Sequence, residues 1–286
     1  MIQMPIGWGW DRLRVAAQSI GSSRDEDHWP QQTRRAAMPT LRRIGLADLK
    51  DALAKGVQDF EANRTDVMFL CVMYPVAGLV LWGLASGYGM LPLLFPLASG
   101  FALLGPLAAL GLYEMSRRRG LGLEVSWLDA FRVLRSPSIG AIALLGLTLV
   151  VLFLLWLLAA DLIYLGTLGP QPPQSAGAFL RDVFTTPDGW IMIGAGFGVG
   201  FVFAVVVLAI SVVSFPLLLD RNLSVDAAVS ISVRSVQANP GPLAAWGLIV
   251  AAGLVIGSIP FLLGLVVVLP VLGHATWHLY RALVRD

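Results

Sequence analysis

Along this chain, apolar stretches of about twenty residues alternate with short polar connectors, and no strand-like alternation of polar and apolar positions competes with them. The apolar stretches run approximately over 67–86, 91–113, 139–160, 190–219, 243–259 and 260–278. A bilayer core of about 30 Å needs about 20 apolar residues in a helix, because backbone polar groups find no water there. The pattern therefore predicts an all-α, polytopic membrane protein with six transmembrane helices. Only Ser258-Ile259-Pro260 separates the last two, where the proline favours a break.

The polar connectors carry a second pattern. Residues 46–66, LADLKDALAKGVQDFEANRTD, put Leu46, Leu49, Leu53, Val57 and Phe60 on one helical face and Asp48, Lys50, Asp51, Lys55 and Asp59 elsewhere. Residues 224–242, SVDAAVSISVRSVQANPGP, do the same with Val225, Val229, Val233 and Val236. Residues 126–138, SWLDAFRVLRSPS, form a shorter third case. Ser126 and Ser224 are placed to cap their helices, while Asn63, Ser136-Pro137 and Asn239-Pro240 mark the stops. The predicted unit is an amphipathic helix followed by a helical hairpin, repeated three times. Pro106, Pro216 and Pro270 each fall late in the second helix of a unit, where a kink or local unwinding is expected.

Composition sharpens the class. The chain has 286 residues, 57% hydrophobic and 13% charged, a balance that a soluble core of this size cannot hide. Residues 1–40 lack periodicity and a secretory cleavage pattern, and read as a flexible cytoplasmic tail with Met38 as an alternative start. Residues 41–286 form the membrane domain. Nineteen of the twenty Lys and Arg fall on one side of the spans, with only Arg181 on the other. Basic loops are retained in the cytoplasm, so both termini are expected inside and the 161–189 loop outside, in a bacterial inner membrane. Tyr88, Tyr113, Tyr164, Trp190 and Tyr280 are expected in aromatic belts. The bilayer is the expected partner, with other membrane proteins or a second copy beside it; no basic and aromatic stripe points to nucleic acid.

Three segments carry a resemblance: DLKDALAKGVQDF before the first span, FPLLLDRNLSVDAAVSISVRSVQAN after the fourth, and LPVLGHATWHLYR in the sixth. Together they resemble the bacterial integral membrane proteins of domain-of-unknown-function family 2189, over about residues 41–286. That resemblance implies no established activity. Members are sometimes labelled cytochrome c oxidase subunit I, which holds its haems and copper with histidines spread over several helices. This chain has three histidines, His28 in the tail and His274 and His278 on one helix, so the label fails as chemistry.

His274 and His278 lie one turn apart on one face and could share a Zn or Cu ion, with Glu114, Asp220 or Asp226 as further ligands. The competing reading makes LGHATWHLYR the interfacial end of a helix, its rings bonded to headgroups or neighbouring helix ends. Glu114 has Arg118 as an i, i+4 partner. The run GAGFGVG lacks the offsets and preceding strand of a dinucleotide loop. Its Gly194 and Gly198, like Gly253 and Gly257, are spaced for close helix packing.

The spans hold no Asp, Glu, Lys or Arg, which disfavours an ion-coupled transporter. No nucleophile–base–orienter spacing is visible, and the single Cys71 provides neither a disulfide nor a cysteine metal site. The expectation is a non-enzymatic scaffold or assembly-type membrane protein without a cofactor. The alternatives are a carrier or channel for a small neutral or lipid-like molecule, and a metal-binding membrane protein.

Overall fold

The computed structural model describes residues 40–62, Leu79, Gly83, 91–260 and 262–285. The expected tail, except Thr40, and the first expected span, except the helical Leu79 and Gly83, lie outside the described residues, as do Cys71 and Tyr88. The chain divides into two units. In one, β1 (Thr40–Leu41) pairs antiparallel with β2 (Val284–Arg285), Thr40 opposite Arg285 and Leu41 opposite Val284. The other, residues 42–283, holds the helices found among the described residues.

Helix α1 (Leu46–Ala62) is the first amphipathic segment. The second apolar stretch forms α2 (Leu94–Leu103), α3 (Gly105–Ala108) and α4 (Leu110–Gly120). Pro106 has no N–H for the carbonyl of Ala102, and the helix is broken at Leu104 and Ala109 around it. A 3-10 helix over Trp127–Arg135 leads into α5 (Ile139–Thr167). After α6 (Ala176–Thr185), α7 (Pro187–Ser211) and α8 (Ser214–Asp220) share the fourth stretch, parted at Val212–Val213 where Pro216 withholds its N–H. The Val213 N–H is taken instead by Ser232 Oγ at 3.2 Å. Then come α9 (Val225–Ala238), α10 (Pro240–Ser258) and α11 (Leu265–Leu283), which stays continuous through Pro270.

Among the described residues, three helical runs are long and apolar enough to cross a membrane: Ile139–Thr167, Pro187–Asp220 and Pro240–Ser258. The fold is thus all-helical with several apolar helices. Helix α11 differs in kind: His274, Thr276, His278 and Arg281 occupy its second half, most of which is buried by protein.

Packing is tightest at the end of the unit where the amphipathic segments gather. Tyr113, Met115, Leu145, Leu149, Phe215, Leu217, Leu218, Leu243, Trp246, Leu279 and Tyr280 are all essentially inaccessible there. Leu158, Leu162, Phe197, Phe201, Val255 and Ile256, toward the other end, are exposed. Helix α1 lies along α11, α4 packs on α11 and on the 3-10 helix, and α8 packs on α9 and α4. Tyr113 and Tyr280 therefore belong to the core, not to an aromatic belt, whereas Trp190 is exposed.

Both long amphipathic helices are rotated from their expected faces. Helix α1 buries Leu49, Ala52, Gly56, Asp59 and Phe60, while Leu46 and Val57 are exposed. Helix α9 buries Ala228, Ile231, Ser232 and Ser235, and its valines stay half-buried. Small side chains let backbones approach closely, and close approach favours these faces over the ones with larger hydrophobic residues. A Cβ on Gly56 would sit 2.7 Å from the Cβ and N of Ala275 and the O of Val271, and one on Gly273 would sit 2.5 Å from Leu112 Cδ1.

Candidate functional site

The two histidines of α11 meet partners from α1 and α4. Ser116 is on the buried face of α4, one turn beyond Leu112, the residue against which Gly273 packs. Asp59 lies one turn beyond Gly56, so the close approach at Gly56 delivers its carboxylate to α11. Ser116 Oγ donates to Asp59 Oδ2 at 2.6 Å, His278 Nε2 is 2.8 Å from the same oxygen, and His274 Nδ1 is 2.7 Å from Ser116 Oγ. Arg119 Nε approaches Asp59 Oδ1 at 3.3 Å.

Donor logic orders this chain. An ionised carboxylate only accepts, so both Ser116 O–H and His278 Nε2–H point at Asp59. With its proton committed to Asp59, the serine oxygen accepts from His274 Nδ1–H. His274 Nε2 is buried and meets no hydrogen-bond partner among the described residues. Burial alone would push the Asp59 carboxyl up, but the hydrogen bonds from His278 and Ser116 and the nearby imidazoles outweigh it and hold the carboxyl below its ordinary value of 3.8. Ser116 and His274 are 1% and 0% exposed, so no substrate reaches them without a rearrangement.

A second cluster adjoins it. Tyr280 O–H donates to Asp220 Oδ2 at 2.7 Å, and Arg281 Nη1 lies 3.2 Å from the same oxygen, joining α11 to the end of α8. Glu114 is clasped by Arg117 at 2.8 and 3.0 Å, three residues on, in place of the expected Arg118. Arg118 instead pairs with Asp129 of the 3-10 helix at 3.5 Å. Asp129 is held there because the N–H of Ser126 donates to its carboxylate at 2.9 Å. The Ser126 hydroxyl also donates to Asp129, at 3.3 Å, whereas Ser224 caps as expected and accepts the Ala227 N–H.

Of the candidate metal ligands, His274 and His278 are brought together, but against Ser116 and Asp59. Glu114 and Asp220 serve Arg117, Tyr280 and Arg281, and Asp226 is exposed in the first turn of α9. Among the described residues, no group of three or more His, Cys, Asp or Glu is placed to hold a metal ion. Gly253 and Gly257 pack on Leu272, Val268 and Leu265, while Gly194, Gly196 and Gly198 meet no described atom within 4 Å.

Asp59, Ser116, Arg119 and Asn239 were not singled out as site residues. For Asp59 the signal was available: Leu49, Ala52, Gly56 and Asp59 follow one stripe at spacings of three and four, with residue size falling toward the carboxylate. Asn239, expected only as a stop, accepts the Ile44 N–H at 2.8 Å and donates to the carbonyls of Arg42 at 3.2 Å and Ser235 at 3.1 Å.

Residues 94–220 match the family described as predicted integral membrane protein (DUF2189). It is the family that the three segments resemble, and the matched part runs from α2 through α8. The closing LGHATWHLYR lies beyond it. No curated protein and no solved structure matches the chain. The protein is an integral membrane protein, and lipid bilayer is its environment.

Proposed function

We propose that the protein is a non-enzymatic scaffold or assembly-type component of a bacterial inner membrane, with both termini cytoplasmic and its amphipathic helices at the cytoplasmic surface. The observation that carries this reading is the open face of α7. Gly194 and Gly198 are exposed between the exposed rings of Phe197 and Phe201, and no described residue covers them. Glycines four apart flanked by large apolar ridges suit the close docking of another membrane helix. The sealed polar node supports the non-enzymatic part, since its serine and its inner histidine are engaged with each other and out of reach.

The test is tagged purification from native membranes in mild detergent, with quantification of what accompanies the protein. A membrane protein in near-equal amount, lost on Gly198→Leu, is the expected result. Emergence of the chain alone, or only with itself, sinks the reading.

A second reading, a carrier for a small neutral or lipid-like molecule, is favoured by the helix breaks near Pro106 and Pro216, where unwound backbone supplies polar groups. Flux in reconstituted vesicles tests it. The Zn or Cu reading of His274 and His278 has the least support. Metal content that is equal in the wild type and in the His274→Ala, His278→Ala double variant rejects it.

A further inference from the structure

The 3-10 helix Trp127–Arg135 has three residues per turn, so positions three apart line up along it. Leu128, Phe131 and Leu134 form one line, 59%, 51% and 68% exposed. Asp129, Arg132 and Arg135 form the next, with Asp129 buried and both arginines exposed. Val133 is buried on the third line, and Ala130 packs against Gly111. This helix ends four residues before α5 enters the membrane, which sets it at the interface. An exposed line of leucines and phenylalanine there rests in the acyl boundary, and that orientation turns the arginine line toward the headgroups.

Behind the arginine line is a cavity of about 350 Å³, within the size range of small-molecule sites, roughly 300–1,000 Å³. Arg117, Arg118, Arg132 and Arg135 line it, against one lining carboxylate, Glu114. Arg117 is paired with Glu114, and Arg118 and Arg132 share Asp129. Two positive charges are thus left uncompensated, and Arg135 has no hydrogen bond or ion pair to a described residue. Leu219 of α8, with Ser136 and Pro137 just before the N-terminus of the 29-residue α5, completes the wall. Ser138, at the N-cap of α5, gives its hydroxyl to the carbonyl of Arg221 and does not cap the helix. The first-turn N–H groups of a long helix favour an anion.

We infer that this cavity binds the headgroup phosphate of an anionic phospholipid from the leaflet at this end of the bundle, with Arg135 and Arg132 as its phosphate contacts. A free anion would match the arginines but would leave the exposed Leu128–Phe131–Leu134 line unexplained. The inference goes beyond the scaffold reading and stands whether or not a protein partner exists.

The experiment is native mass spectrometry of the detergent-solubilised full chain. It is titrated with phosphatidylglycerol, with phosphatidylcholine, and with phosphatidylglycerol in competition with inorganic phosphate. Wild-type protein is expected to retain phosphatidylglycerol over phosphatidylcholine. Arg135→Gln is expected to weaken that retention about fivefold, from the usual contribution of one arginine near an anionic headgroup. Arg135→Glu should weaken it further, and Arg181→Gln should change nothing. Arg135 has no described partner, so both Arg135 variants should unfold at the wild-type temperature. Equal retention of the two lipids, or unchanged retention in both Arg135 variants, overturns the site. Displacement of phosphatidylglycerol by inorganic phosphate overturns the lipid assignment.

Discussion

Replacing Asp59 by Ala tests whether the polar node is what fastens α1 to the membrane bundle. The carboxylate accepts from Ser116 at 2.6 Å and from His278 at 2.8 Å, and its side chain is only 8% exposed. Each such bond to a buried charge is worth about 1.5–3 kcal/mol. Arg119, 40% exposed and 3.3 Å away, adds about 0–1 kcal/mol after solvent screening. The carboxylate's own desolvation offsets part of this, but its removal leaves Ser116, His274 and His278 with a broken chain in a closed site. The net loss expected is about 3–5 kcal/mol, the range for breaking one side of a buried polar pair. Hydrogen exchange of residues 46–62 in nanodiscs reads it directly: about 3 kcal/mol corresponds to exchange roughly a hundredfold faster in α1. The Ala178–Thr185 region should stay unchanged. Exchange in α1 within twofold of wild type would refute the reasoning, since the helix would then be held by its small-residue face alone. The same group gives a pH signature. A carboxyl held below 3.8 when folded contributes stability that is complete above the unfolded value and is lost as pH falls through the folded one. Wild type and Asp59→Asn should therefore differ at neutral pH and converge at the acid end.

Two further outcomes follow from the close approaches. Gly56→Val places a side chain 2.7 Å from the Ala275 backbone, which has no room to yield, and should destabilise the α1–α11 contact by about 1–3 kcal/mol, read as faster exchange in both helices. Asn239→Ala removes two hydrogen bonds that hold residues 42–44 to the end of α9, and a third to Ser235 within that helix. It should cost about 1–3 kcal/mol, seen as new protease sensitivity near Arg42 and Arg43 without loss of the membrane helices.

Much of the fold was legible because hydrophobicity along a membrane helix is a one-dimensional signal. The stretches over 139–160, 190–219 and 243–259 appear as α5, α7 with α8, and α10, with ends shifted by a few residues. The breaks around Pro106 and Pro216 were legible as well, since proline lacks the N–H wherever it stands. At the site, the sequence brought His274 and His278 to one face but offered two destinations, a shared metal, or headgroups and neighbouring helix ends; in the fold His274 meets Ser116 and His278 meets Asp59.

What the sequence determined by itself is the class and the order of elements: apolar runs without charge, separated by polar segments whose period is helical. Which face each amphipathic helix buries was decided only by the tertiary structure. The faces with larger hydrophobic residues, Leu46 with Val57 and the valines of α9, stand partly outside, while Ala52, Gly56, Ala228 and Ser232 go in. The physical reason is that packing here is governed by how closely two backbones can come. That quantity belongs to pairs of helices distant in the chain, such as Gly56 with Ala275 and Gly273 with Leu112, and only their meeting puts Asp59, Ser116, His274 and His278 in one place.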